Sequence, residues 1–199
     1  MDWTIHDYNG HRKYLTIEET KQFLAQAARC DPLVHSFCCF LVRTGCRISE
    51  ALSLTAENID FAAQQVIIKC LKKRQKQVFR AVPLPRIFLD KLRGWFRTGV
   101  LPTQGLLWPW SRMTGYRRVR EVMARARIVG EHASPKGLRH GFGVRAIQSN
   151  VPLNLVQRWL GHADIKTTAI YTSVIGPEER AISARMWKPS AEAASANGL

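Results

Sequence analysis

Along the chain, apolar residues recur first at helical spacing, then in two short β-prone runs, then at helical spacing again almost to the end. Thr16-Ile-Glu-Glu19 has the form of a capping box, and Phe23, Leu24 and Ala27 follow on one face, which predicts a helix over 16–28. Asp31 and Pro32 suit the N-cap and first position of a second helix. Its Leu33, Phe37, Phe40 and Leu41 form a stripe until Gly45 offers a left-handed stop. A third, short helix begins at Arg47 and carries Ile48, Ala51 and Leu52. Between 57 and 84 the period changes: 65–71 and 77–83 are β-prone and flank Lys72-Lys-Arg-Gln-Lys76, the pattern of a hairpin with a basic tip. Helices are then predicted at 86–97, 114–127, 135–149, 152–160, 165–172 and 177–186. Ser134-Pro135 and Asp164 act as starts and Gly161 as a stop. The expected fold class is α+β, mainly α: one helical domain over 14–187 with a small antiparallel sheet. A polar N-terminal arm (1–13) precedes it and an Ala/Ser-rich flexible tail (188–199) follows.

Charge narrows what such a domain binds. Thirty Lys and Arg against fifteen Asp and Glu give net +15 and a pI near 10.2, which favours a polyanionic partner, nucleic acid first. An anionic membrane is the competing reading, but the chain has no 18-residue apolar run, and its opening residues lack the form of a signal peptide. The expected location is therefore the cytoplasm, in association with the nucleoid. The five cysteines are odd in number and form no C-x₂-C pair, so they read as reduced, mostly buried thiols rather than a disulfide framework or zinc site. Phosphate-loop, zinc-protease, nucleophile-elbow and paired-carboxylate patterns are all absent, so the common hydrolase and nucleotide-binding chemistries have no anchor.

Chemistry concentrates in four segments: Thr44-Gly-Cys-Arg-Ile-Ser-Glu-Ala-Leu52, the basic hairpin tip, Ser134-Pro-Lys-Gly-Leu-Arg-His140, and Trp159-Leu-Gly-His-Ala-Asp-Ile-Lys-Thr-Thr-Ala-Ile-Tyr171. Taken singly each is commonplace, since a helix-start arginine is often only exposed and a tyrosine often only half-buried core. Together they resemble the motif set of the tyrosine recombinase (phage integrase) family, over about 14–187. The first segment matches the family's first arginine box, with Arg47 and its accompanying acid Glu50. Leu138-Arg-His140 matches the second, with Arg139 and His140. Leu160-Gly-His-x-x-x-x-Thr-Thr-x-x-Tyr171 matches the third. The 23 positions from Arg139 to His162 and the nine from His162 to Tyr171 agree with the family's spacing.

That resemblance implies site-specific recombination of double-stranded DNA by integration, excision or inversion. Tyr171 would be the nucleophile of a 3′-phosphotyrosine intermediate, and Arg47 and Arg139 would clamp the phosphate through forked, charge-assisted hydrogen bonds. His162 would bond the phosphate or orient the tyrosine. The general acid would be a hairpin lysine, Lys72 by position with Lys73 one residue away. Arg74 and Lys76, with Lys73, would contact DNA phosphates. Lys136 stands where the family usually has histidine, and related type IB topoisomerases also tolerate lysine there. A protonated lysine contacts phosphate well but is a poor base, which leaves His162 or water to take the tyrosine proton. His140 is expected to pack against or position Arg139. No metal or other cofactor is expected, because cationic side chains supply the charge stabilisation.

The family's usual N-terminal clamp domain has no room before the first predicted helix, so the chain reads as a catalytic domain alone; a stand-alone protein in the layout of the fimbrial inversion recombinases and a fragment of a longer protein would look identical. The segment 177–186 would dock on a neighbouring protomer in a DNA-bound homotetramer, or in cis, and an accessory DNA-bending protein is a further candidate partner. A nicking and relaxing enzyme of type IB topoisomerase kind, and a non-catalytic DNA-binding regulator on the same fold, are the rival readings.

Overall fold

The computed structural model describes residues 4–70, 78–173 and 183–184. Eight helices and one three-stranded sheet are described: α1 (Ile17–Ala27), α2 (Pro32–Thr44), α3 (Ile48–Ala51), β1 (Ile59–Asp60), β2 (Gln65–Lys69), β3 (Phe79–Pro83), α4 (Arg86–Arg97), α5 (Arg112–Arg125), α6 (Pro135–Gln148), α7 (Leu153–Leu160) and α8 (Lys166–Ala169). The fold is mainly helical with a small antiparallel sheet, as the periodicity predicts.

Local chemistry accounts for most boundaries. Thr16 accepts from the Glu19 N–H at 3.2 Å while the Glu19 carboxylate accepts from the Thr16 N–H at 3.0 Å, closing the box that starts α1. Asp31 accepts from Leu33 N at 2.9 Å to start α2, and Gly45 ends it in the left-handed region with φ 58°. Two elements differ from expectation. Strand β1, which pairs Ile59 with Val66, is only two residues long, too short to leave a periodic signal. The expected helix over 165–172 shortens to α8 followed by a 3₁₀ turn over Ile170–Ser173, which places Tyr171 on the turn. Lys72, Lys73, Arg74 and Lys76, nearly all of the predicted 177–186 helix and the 188–199 tail lie outside the described residues.

Helix α2 is the centre of the main core. Phe37 and Phe40 pack on the indole of Trp108 with ring centroids 5.2 and 5.1 Å apart, and the buried Trp108 N–H donates to Ser36 Oγ at 2.9 Å. A second, smaller core gathers Ile5, Tyr14, Val144, Val156, Leu160 and Tyr171 around α6. Its first two members lie at or beside the stretch expected to be a free arm. From residue 4 that stretch is instead docked, with Ile5 buried and the Lys13 N–H donating to Ile5 O at 2.7 Å, because Ile5 supplies apolar area that α6 covers. All five cysteines are free thiols, three of them buried. Among the described residues no helix is long and apolar enough to cross a membrane.

One polar cluster ties the sheet to the helices. In β3 the side chains of Arg80 and Val82 face inward, and Arg80, paired in register with Ile68, is 5% exposed. It donates to the carboxylate of Glu50 at 2.6 and 3.2 Å and to the carbonyl of Trp159 at 2.7 Å. Glu50, 1% exposed, also accepts from the Arg47 side chain and backbone N–H, each at 2.9 Å. Burial alone would raise the Glu50 carboxyl pKa, but the Arg80 and Arg47 guanidiniums outweigh it and hold the group below its ordinary value. Glu50→Ala would leave Arg80 buried without a counter-charge and is expected to cost about 3–5 kcal/mol in urea denaturation. Asp90→Ala, which breaks the exposed Arg93–Asp90 pair, is expected to cost under about 1 kcal/mol. Equal losses from the two variants would show that the buried cluster is not what joins these elements.

Candidate active site

A cleft of about 640 Å³ opens over the N-terminal ends of α3, α5 and α6 and the turn after α7. Arg47, Glu50, Lys136, Arg139, His140 and His162 all line it, so six residues assigned from three separate stretches of sequence meet in one place. Arg112 and Tyr116, one helical turn apart on α5, line it as well. They were not picked out from the sequence, where only their i, i+4 spacing on an arginine-rich helix could have marked them. Arg80 was also missed. Its signal was an arginine at an inward strand position, which requires an acid in the core.

Arg139 lies in the second turn of α6 and is 8% exposed. Two of its five N–H donors go to backbone carbonyls, Gly45 O at 2.9 Å and Leu160 O at 2.8 Å. These carbonyls lie at the C-terminal ends of α2 and α7, where the helix dipoles favour a cation. Burial, then the neighbouring Arg47, lowers the guanidinium to about 10, which leaves it charged at neutral pH. Arg47 is the N-cap residue of α3, and its contact with Glu50 aims it at the same cleft. Lys136, beside Pro135 in the first turn of α6, adds a third cation at a helix N-terminus.

Tyr171 is fully buried beneath this cleft. Its ring occupies a slot opened by Gly143, where a Cβ would stand 2.5 Å from the ring carbon that bears the hydroxyl. The hydroxyl is 3.1 Å from His140 Nδ1, whereas Arg139 is held by main-chain carbonyls, so the expectation that His140 serves Arg139 gives way to a direct contact with the tyrosine. His162 lies nearly parallel to the Tyr171 ring, 16° between planes, and its Nδ1 is 2.9 Å from Thr168 Oγ1. Burial pushes the Tyr171 phenol up to about 12 against the pull of Arg139 and Arg47. Burial, then nearby cations, lowers both imidazoles to about 3: Lys136, Arg139 and Lys13 act on His140, and chiefly Arg139 and Arg47 on His162. No metal-holding group of His, Cys, Asp and Glu occurs among the described residues.

The histidines give a pH dependence with a definite sign. Folded, both stay neutral down to about pH 3, while the unfolded chain takes up protons below about 6.5. Stability is therefore undiminished by them above pH 6.5 and falls as the pH drops below it. Urea midpoints measured from pH 7.5 to 5 should decline, and His140→Asn, which cannot take up that proton, should flatten part of the decline.

The chain is similar to known proteins in sequence and in fold. The family profile described as the phage integrase family matches residues 13–175. Tyrosine recombinase XerD of Halalkalibacterium halodurans is 29% identical over 180 residues, covering 81% of this chain and 57% of that protein, so the chain spans little more than half of this relative's length. The XerA recombinase crystal structure superposes with a TM-score of 0.75 at 20% identity, over 89% of this chain and 64% of that one. XerH recombinase bound to palindromic difH substrate, in a post-cleavage complex, superposes with a TM-score of 0.72 at 25% identity, over 89% of this chain and 54% of that one. With the family's motif residues gathered in one cleft and the profile covering most of its length, this chain belongs to the phage integrase family.

Proposed function

We propose that this domain cleaves and rejoins double-stranded DNA at specific sites, with the Tyr171 hydroxyl as nucleophile and a 3′-phosphotyrosine as intermediate. The observation that carries the reading is the convergence of Arg47 and Arg139 on a cleft with Tyr171 directly beneath it. In-line attack on a phosphodiester builds negative charge on its nonbridging oxygens. Two fixed guanidiniums, each anchored by a buried partner, meet that charge without reorganising. His162 and Lys136 are in place for further phosphate contacts, and Arg112 and Tyr116 extend the cleft along a bound duplex. The 5′ oxygen leaves with a proton from a hairpin lysine, Lys72 or Lys73, while Arg74 and Lys76 hold the backbone. The covalent link conserves bond energy, so rejoining needs no ATP, and the arginines supply the charge stabilisation that a metal ion would otherwise give.

The net charge of +15 and the DNA-bound XerH neighbour support duplex DNA as the partner, and the cytoplasmic nucleoid as the place of action. By resemblance to the family, the working assembly is a homotetramer on DNA, with a DNA-bending protein as accessory. Lys136 in place of histidine favours, as second reading, a domain that only nicks and reseals.

Covalent capture tests the proposal. From a pool of nicked duplexes of randomised sequence, wild type should retain DNA on a denaturing gel and Tyr171→Phe none. Arg139→Ala should lower the rate by about 10²–10³-fold. Salt-sensitive binding without any adduct would move the domain to the binding-protein reading, and relaxation of supercoiled DNA lacking any captured site would favour the second. Binding itself should weaken steeply with salt, by about 0.9 in log–log slope for each phosphate neutralised. A flat response would exclude phosphate-dominated contact.

A further inference from the structure

The proton on Tyr171 must leave as its oxygen attacks phosphorus, and Lys136, at the family's usual histidine position, is a poor acceptor. We propose that His140 is a catalytic residue of this domain, the base that takes the Tyr171 proton on its Nδ1 during cleavage and returns it during rejoining. The inference rests on the DNA-cleavage reading above and names the proton path within it.

Geometry selects His140. Its Nδ1 is 3.1 Å from the Tyr171 oxygen and is the hydroxyl's hydrogen-bond partner among the described residues. The rings meet at 59° with centroids 5.8 Å apart, so a ring nitrogen, not a ring face, meets the hydroxyl. His162 presents the opposite arrangement: its ring lies nearly parallel to the phenol and its Nδ1 is taken by Thr168. Gly143 fixes the contact, since any side chain there would displace the tyrosine ring from its slot. His140 also lines the cleft, so it spans the buried nucleophile and the space where a phosphate would lie.

Electrostatics supply the timing. The groups facing His140 are Lys136 and Arg139 on its own helix, Lys13 from the N-terminal segment, Tyr171 from the 3₁₀ turn, and His162 from the turn after α7. Three are cations, and with burial they keep the imidazole neutral throughout the physiological range. In the tautomer with the ring proton on Nε2, which has no partner among the described residues, the Nδ1 lone pair faces the phenol. A resting phenol at about 12 does not ionise against such a ring. Transfer takes place when a phosphodiester brings negative charge beside the three cations and the forming O–P bond makes the phenol proton acidic. The balance is complete. The Tyr171 O–P bond forms and the P–O5′ bond breaks. The 5′ oxygen takes the bonding pair and a proton from the hairpin lysine, and the phenol proton resides on His140 until the 5′ hydroxyl attacks in return.

Single-turnover cleavage of the captured substrate tests this against a merely structural role. In wild type the rate should be level from pH 6 to about 9, because the acceptor is inside the protein. In His140→Asn it should fall by about 10²–10⁴-fold at neutral pH and climb about tenfold per pH unit, as hydroxide replaces the lost base. Replacing Tyr171 by 3,5-difluorotyrosine, a more acidic phenol, should recover at least about tenfold in His140→Asn and little in wild type. His140→Gln, read in the same way, stands in if the asparagine variant does not fold. A His140 variant that binds DNA and cleaves within about threefold of wild type, or a slow one with neither the pH slope nor the fluorotyrosine recovery, would overturn the proposal alone. A wild-type domain that forms no adduct would overturn it together with the function on which it rests.

Discussion

A cleft lined by arginines holds several positive charges at the edge of an apolar core, and the buried ones need partners there. The Glu50 carboxylate meets the largest part of that requirement. It accepts from Arg47 on the cleft side and from Arg80 on the core side, and Arg80 in turn holds the last turn of α7 through the Trp159 carbonyl. One buried anion therefore fixes the first arginine box, the sheet and the entrance to the third box relative to one another. Such a carboxylate is tolerated because its hydrogen bonds replace those it loses to water.

Arg139 solves the same problem without an acid. Carbonyls at the C-terminal ends of α2 and α7 converge on it from residues 94 and 21 positions away. Neutral acceptors hold the side chain in place while leaving its positive charge uncancelled. Glu50 and these carbonyls thus do different work: the acid neutralises a buried cation, and the helix ends orient one whose charge stays uncancelled.

Beneath the arginines Tyr171 is enclosed, with its ring in the Gly143 slot and its hydroxyl on His140. Burial keeps the phenol protonated and shields it from water. The docked N-terminal segment shares this function, because Ile5 and Tyr14 belong to the same small core as Tyr171. That segment is continuous with the fold and helps hold Tyr171 in place.

Much of this was legible in the sequence. The capping box at Thr16, the Asp31-Pro32 start, the Gly45 stop and the alternation through Val66, Ile68 and Val82 specify helices and strands, because caps, turns and side-chain periods act over a few residues. The three motif segments also fixed which residues would meet in the cleft. What the sequence left open was the choice of partners. Arg80 finds Glu50 across 30 positions, and His140 finds Tyr171 across 31. Neither pairing follows from local spacing, since either side chain could have faced another acid, another ring or solvent. Likewise Ile5, read as part of a polar arm, is buried because α6 offers it a place. The sequence by itself determined the elements and the chemical groups available to the site. Tertiary packing decided which buried charge is neutralised, which is left uncancelled and which nitrogen meets the Tyr171 hydroxyl, because hydrogen bonding in a core depends on which distant surfaces close against each other.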